Sequence, residues 1–396
     1  MTYTIIITFC SLLLIAYIFN LTASKTSIPS VILLLLLGWG IKQFTLLLKF
    51  ELPDFTMLLP ILATIGLVLI VLEGSLELDL NKSKIGLVKK SLLGALLPMI
   101  GMALLLAFLF QYYGDYSFKI SLINAIPFCI ISSAIAIPSA RNLTTFNREF
   151  TTYESSLSDI LGVLIFNFIV LNESIDLSSF GFFGLKFFIM IAVSFIATIG
   201  LSLLLSKIDH HVKFVPIILL VILIYSVSKV YHLPALIFIL IFGLSIGNLG
   251  EFRRLKWITK FNTDEIRDEI QKFKALTIEG AFLIRALFFI LFGYMLKTSD
   301  ILNTKTLIWS LCIVTIIFVL RAIQLKFSKL ELTPLLFVAP RGLITILLFL
   351  AIDPSDSILL VNKSLVIQVI ILSALIMTFG ILINTKKEEK NEGTIE

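Results

Sequence analysis

Apolar runs of about 17–25 residues recur along almost the whole chain, and no other feature restricts its fold as much. In hydrocarbon a backbone amide or carbonyl has no water to bond, so each run must close its own hydrogen bonds as a helix. The runs fall near 3–20, 28–43, 56–78, 91–111, 119–140, 153–172, 180–206, 213–230, 234–249, 275–297, 304–325, 333–352 and 364–384. That makes about thirteen spans. The second and ninth are short and bounded by Pro29 and Pro234, so tilt or partial immersion is expected there. With 58% hydrophobic and 15% charged residues in 396, one soluble core cannot hide the apolar surface. The first run has no Lys or Arg before Lys25 and no small-residue cleavage pattern; it reads as a spanning helix, not a signal peptide. The expected fold is an all-α polytopic membrane protein. A transmembrane domain covers 1–384, and a short charged tail, expected to be disordered, covers 385–396.

Loop charge sets the orientation. With the C-terminus inside and an odd number of spans, the inner connections hold about three times as many Lys and Arg as the outer ones. The inner set includes Lys82, Lys84, Lys89 and Lys90, the basic residues between Arg253 and Lys274, and Lys386, Lys387 and Lys390. This bias predicts an outer N-terminus and a cytoplasmic C-terminus in a plasma (inner) membrane. It also accounts for the net charge of +6 without nucleic-acid binding. The longest connection, 251–274, interleaves Phe252, Leu255, Ile258, Ile266, Ile270 and Phe273 with charges. Both a helix on the inner membrane surface and a plain solvated connector fit that pattern. Cys10, Cys129 and Cys312 lie singly in separate apolar runs and read as small buried hydrophobes, with no disulfide or zinc spacing.

The most informative stretch is Tyr153-Glu154-Ser155-Ser156-Leu157-Ser158-Asp159-Ile160-Leu161-Gly162-Val163, which opens an apolar run ending at Leu171. A charge at mid-membrane costs about 2.5–3.5 kcal/mol even on the lenient insertion scale, so it is rarely idle. Helical spacing puts Ser155 and Asp159 on one face, with Glu154 and Ser158 paired on the next. Oxygens grouped in this way suit a hard monovalent cation or a proton and no soft metal. The plainer alternative is that both acids mark a helix N-terminus in the headgroup zone.

Other spans carry residues that disturb a helix. The fifth contains Ser132-Ser133-Ala134-Ile135-Ala136-Ile137-Pro138-Ser139. There Pro138 predicts either an interrupted helix with loose carbonyls or an ordinary kink. The twelfth contains Pro334 and Pro340-Arg341-Gly342, as expected at a second broken helix whose exposed carbonyls Arg341 would neutralise. Two interrupted helices, five and twelve, fit the inverted repeat of secondary transporters, whose sites form where such helices cross. Arg285, deep in span ten, needs an anion, and a carboxylate on another helix is expected to supply it. Glu73 and Glu77 read as structural or interfacial. His210, His211 and His232 fall in or beside loops.

In this order, these residues resemble the NhaP/NHE-like branch of the monovalent cation:proton antiporters over nearly the whole chain. The resemblance rests on Glu154-Ser155-x-x-Ser158-Asp159, where the family reads E-S-x-x-N-D. It rests also on Ile284-Arg285 with Phe288-Phe289 and Gly293, on Pro340-Arg341-Gly342, on Gly243-Leu244-x-Ile246-Gly247-Asn248, and on the run Gly66 to Glu77. It implies a secondary active antiporter, not an enzyme and without cofactors, that exchanges Na⁺ (or K⁺ or Li⁺) for H⁺. Asp159 would alternately hold the proton and the monovalent cation. Glu154 and Ser155 would be further ligands, and Glu154 the partner of Arg285. Ser158 takes the place of the family's Asn. The family's Thr-Asp-Pro falls on Ala136-Ile137-Pro138, so that an Asp and a Thr are missing there. A single Asp at the key position resembles the electroneutral branch, and family members are usually homodimers in the lipid bilayer.

The nearest rival, an anion or organic-acid symporter, would favour a cationic lining, whereas here span six carries acids. An intramembrane protease would need Ser with His, or paired aspartates in a Gly-x-Gly-Asp context, and the sequence holds neither. A non-transporting sensor of the same fold fits the missing Thr-Asp pair.

Overall fold

A computed structural model of the chain describes residues 2–26, 29–49, 57–78, 82–172, 177–207, 214–231, 233–248 and 263–392. Every regular element among them is helical, as a hydrocarbon environment demands of these apolar runs. In chain order they are α1 (Thr2–Thr26), α2 (Ser30–Leu47), α3 (Leu58–Glu77), α4 (Ile85–Gly114), α5 (Phe118–Ala125) and α6 (Ser133–Ser139). Then follow α7 (Thr145–Leu171), α8 (Leu177–Lys207), α9 (Phe214–Val230), α10 (Ala235–Gly247) and α11 (Thr263–Met295). The series ends with α12 (Thr298–Ile301), α13 (Thr304–Phe327), α14 (Leu343–Leu350) and α15 (Lys363–Glu392). Among the described residues, 8 helical segments are long and apolar enough to cross a membrane, Phe118–Ser139 being one of them. The protein is an integral, multi-pass membrane protein.

Both predicted interruptions are present, but the first lies elsewhere than expected. Pro138 sits inside α6, and the helix is broken upstream, after a 3₁₀ turn at Ile126–Phe128 and before Ser133. Pro127 occupies the first turn of that 3₁₀ segment, where its missing N–H does no harm. In α6 the Ser139 hydroxyl donates to the Ile135 carbonyl at 2.8 Å, which helps so short a helix accommodate a proline near its end. The second break falls where Pro340-Arg341-Gly342 predicts it, immediately before α14.

Two further expectations change. Residues 263–274 are the leading turns of α11, continuous with its apolar part, and not a separate surface helix; 251–262 lie outside the described residues. The charged tail is helical as far as Glu392, where disorder was expected. Lys and Glu are good helix formers, so a spanning helix can extend through them. His210, His211 and His232 also lie outside the described residues.

The chain divides into two compact units. The first comprises Met1–Ala63, Lys90–Asp159 and Leu283–Glu396. In it α2 and α11 cross at reciprocal glycines. A methyl on Gly38 would strike the Ile290 carbonyl and lie 2.7 Å from the Tyr294 nitrogen, while one on Gly293 would strike the Leu35 carbonyl. Such close backbone approach is how small residues hold helices together without water. The second unit comprises Thr64–Lys89 and Ile160–Phe282. Here α10 packs on α8 and α9, and the Asn248 amide donates to the Leu78 carbonyl at 2.8 Å, fastening the end of α10 to that of α3.

Candidate ion and proton site

The site is built in the first unit, where the two breaks meet α7. Breaking a helix frees amides and carbonyls that, once buried, need partners. The Ile131 N–H donates to Ser158 Oγ at 2.9 Å, and the Ser132 N–H donates to the Pro340 carbonyl at 2.9 Å. The Ser133 N–H donates to Asp159 Oδ2 at 3.3 Å, and the Ser133 hydroxyl donates to the same oxygen. Two side chains of α7 and one carbonyl of the second break thus satisfy three consecutive amides of the first.

Arg341 serves the freed carbonyls. Its Nε donates to the Phe128 carbonyl at 2.5 Å and its Nη1 to the Ala339 carbonyl at 3.0 Å, while its own N–H donates to Ser373 Oγ at 3.0 Å. The guanidinium therefore lies at the end of the first half-helix, where partial negative charge collects. Gly342 lets the two broken segments approach: a methyl there would lie 2.5 Å from Ser132 Oγ and 2.9 Å from Ile135 Cδ1.

The two carboxylates of α7 have different surroundings. Five residues of helix separate them by about 7.5 Å in rise and about 140° in direction, so they do not face one another. Glu154, 1% exposed, is clasped by Arg321 of α13: Nη1 donates to Oε1, and Nη2 donates to Oε2 at 2.6 Å. Arg321 Nε donates to the Leu335 carbonyl at 3.2 Å. Gly94 of α4 leaves room for this pair, since a methyl there would sit 2.5 Å from Glu154 Oε1. Asp159 is equally buried, yet among the described residues it makes no ion pair. Ser133 takes its Oδ2, and its Oδ1 has no partner. The Ser155 hydroxyl donates to the Thr151 carbonyl of its own helix at 2.7 Å. Ser132 Oγ and Thr345 Oγ1, on either break, are buried without partners.

The model of the transmembrane sodium/hydrogen exchanger family matches residues 10–385. The chain belongs to that family. Cation:proton antiport is accordingly its activity, and the chain is a transporter whose family works without a cofactor. This exchanger is also similar to two solved structures of the sodium proton antiporter MjNhaP1 from Methanocaldococcus jannaschii. The structure at pH 8 has a TM-score of 0.71 and 17% identity, over 96% of each chain. The electron-microscopy structure has a TM-score of 0.67 and 18% identity, over 97% of this chain and 95% of that one. At such identities the likeness shows the fold. A comparison with curated proteins finds no match.

One sequence expectation about the exchanger's site needs correction. Arg321, not Arg285, holds Glu154. Arg285 is half-buried on α11. Arg321, like Arg285, is an arginine within an apolar run, and nothing in local sequence separates the two. Ala136 and Pro138 lie beyond the first break. They lie three and five residues past Ser133, inside α6, and it is Ser132-Ser133 that ends the break beside Asp159. The serine pair marks this place in sequence, but its hydroxyls do not re-satisfy the broken backbone: Ser133 Oγ donates to Asp159, and Ser132 Oγ is buried without a partner.

Proposed function

We propose that the exchanger carries one Na⁺ against one H⁺ by alternating access, with Asp159 as the carboxylate that both ions share. The observation that supports this most directly is the half-satisfied Asp159, buried with one oxygen bonded and the other open. A proton and a cation bound to one carboxylate exclude each other. An empty, charged site crosses hydrocarbon only at great cost, whereas either neutralised form crosses readily. Exchange is therefore obligatory, and one-for-one occupancy keeps the site's charge equal in both loaded states.

In this reading the cation meets Asp159 with neutral oxygens around it. Ser155 is a further ligand, Ser158 and Arg341 hold the broken backbone in shape, and Glu154 fixes α7 through Arg321. Arg285 supports the site from α11, and Ala136 and Pro138 shape α6 behind it. The two broken spans belong to an inverted repeat that moves as a body, which is the usual arrangement for a mid-membrane site. K⁺ or Li⁺ can replace Na⁺ as substrate without changing this logic. The protein sits in a plasma (inner) membrane as a homodimer, with its N-terminus outside and its charged C-terminal segment, 385–396, in the cytoplasm.

Liposomes loaded with a pH-sensitive dye and given Na⁺, K⁺ or Li⁺ test the proposal. Cation-driven proton movement in the wild type, electrically silent and lost in Asp159→Asn, is the expected result. Movement that persists in Asp159→Asn would remove Asp159 from the role, and a current accompanying exchange would remove the one-for-one ratio.

A further inference from the structure

We infer that Ser133 is the positioning residue that reserves one oxygen of Asp159 and so biases the site toward the cation. The inference rests on Asp159 being the shared carboxylate. Four observations carry it. Ser133 donates twice to one oxygen, through its N–H and its hydroxyl, and both bonds go to Oδ2. Oδ1 is buried and has no partner. No cation of the chain forms an ion pair with Asp159 among the described residues. Finally, Ser133 is the first residue of α6, anchored on one side by the Ser132 N–H on the Pro340 carbonyl. Its hydroxyl is therefore held by the crossing of the two breaks, not by a flexible side chain.

The chemical consequence follows from which state each donor serves. A hydrogen bond to an ionised carboxylate is roughly twice as strong as one to a neutral group. When a cation sits on Oδ1, the carboxylate stays charged and keeps the full benefit of both donors on Oδ2. When a proton sits on Oδ1, the group is neutral and the same two bonds weaken. Ser133 therefore favours the cation-loaded site over the proton-loaded one. It does so without adding the second negative charge that an aspartate there would bring. Because Oδ2 is already engaged, the cation is held by Oδ1 alone and fills its shell with neutral oxygens. Ser132 Oγ, buried and unpartnered one residue away, is the nearest in sequence.

The test uses the full-length protein in dye-loaded liposomes, with Na⁺ titrated at one fixed pH, for the wild type, Ser133→Ala, Ser133→Thr, Ser133→Cys and Asp159→Asn. Ser133→Ala should raise the apparent KM for Na⁺ by about fivefold, the difference between one hydrogen bond to a charged carboxylate and one to its protonated form, and leave the maximal rate within about twofold. Ser133→Thr, which keeps the hydroxyl, should restore the KM. Ser133→Cys, a weak donor of similar size, should fall between, and it carries the test if the alanine variant does not fold. An unchanged KM in Ser133→Ala or Ser133→Cys, with Asp159→Asn inactive, overturns the inference and leaves the role of Asp159 intact. A fall in maximal rate alone, unrescued by Thr, overturns it too by making Ser133 merely structural. Exchange surviving in Asp159→Asn brings down the underlying reading, and the role of Ser133 with it.

Discussion

Glu154 and Asp159 lie on one helix and are equally hidden, yet the structure treats them in opposite ways. Glu154 has both oxygens taken by a guanidinium, which is itself tied to a backbone carbonyl. Asp159 has hydroxyl and amide donors on one oxygen and nothing on the other. A buried charge with a fixed counter-charge has little reason to bind anything else, and removing either partner strands the other. A buried carboxylate without one binds a proton or a cation to become neutral. The difference shows how one helix supplies a structural anchor and a working site from the same residue chemistry. What separates them is the neighbouring helix that each one faces.

The comparison can be broken most forcefully at Asp159. Asn there should eliminate exchange, to the level of protein-free liposomes, while shifting the melting temperature by less than about 3 °C; a large thermal loss would make Asp159 structural, like its neighbour. Next in size is Arg321→Ala. It leaves Glu154 charged and alone, at a cost of about 3–5 kcal/mol, and little folded protein should elute as a single species in size-exclusion chromatography. Adding Glu154→Gln to that variant should recover part of the yield, and no recovery would mean that Arg321 matters through packing alone. Gly94→Ala presses a methyl toward Glu154 Oε1 and should cost about 2 kcal/mol in thermal unfolding, with cation KM unchanged. Smallest is Ser158→Ala. It deprives the Ile131 N–H of its acceptor and should cost about 1 kcal/mol, read as a melting shift of roughly 2 °C.

Local chemistry made much of this legible in sequence. Apolar runs fixed helices because hydrocarbon permits little else, and acids within such a run marked α7. Pro340-Arg341-Gly342 located the second break because a missing N–H, a strong donor and a residue without Cβ sit side by side. Pro138 leaves an interruption and an ordinary kink equally open in sequence, and in the structure it lies within a helix that a serine hydroxyl helps to complete. The actual break at Cys129–Ser132 depends on partners 27 to 208 residues away, namely Ser158 and Pro340. Only the packed chain brings these together. The pairing of Glu154 with Arg321, 167 residues apart, is of the same kind. Sequence marked Glu154 and Asp159 as buried acids, but not the arginine that one of them would meet.

The division of labour on α7 is tested most directly by counting protons released when Na⁺ is added to purified protein in weakly buffered detergent solution. The wild type should release up to about one proton per chain, because Na⁺ displaces what Asp159 holds. Asp159→Asn should release none, whereas Glu154→Gln combined with Arg321→Met should release as many as the wild type. Proton release from Asp159→Asn, or its loss in the double variant while the fold is kept, would contradict the account.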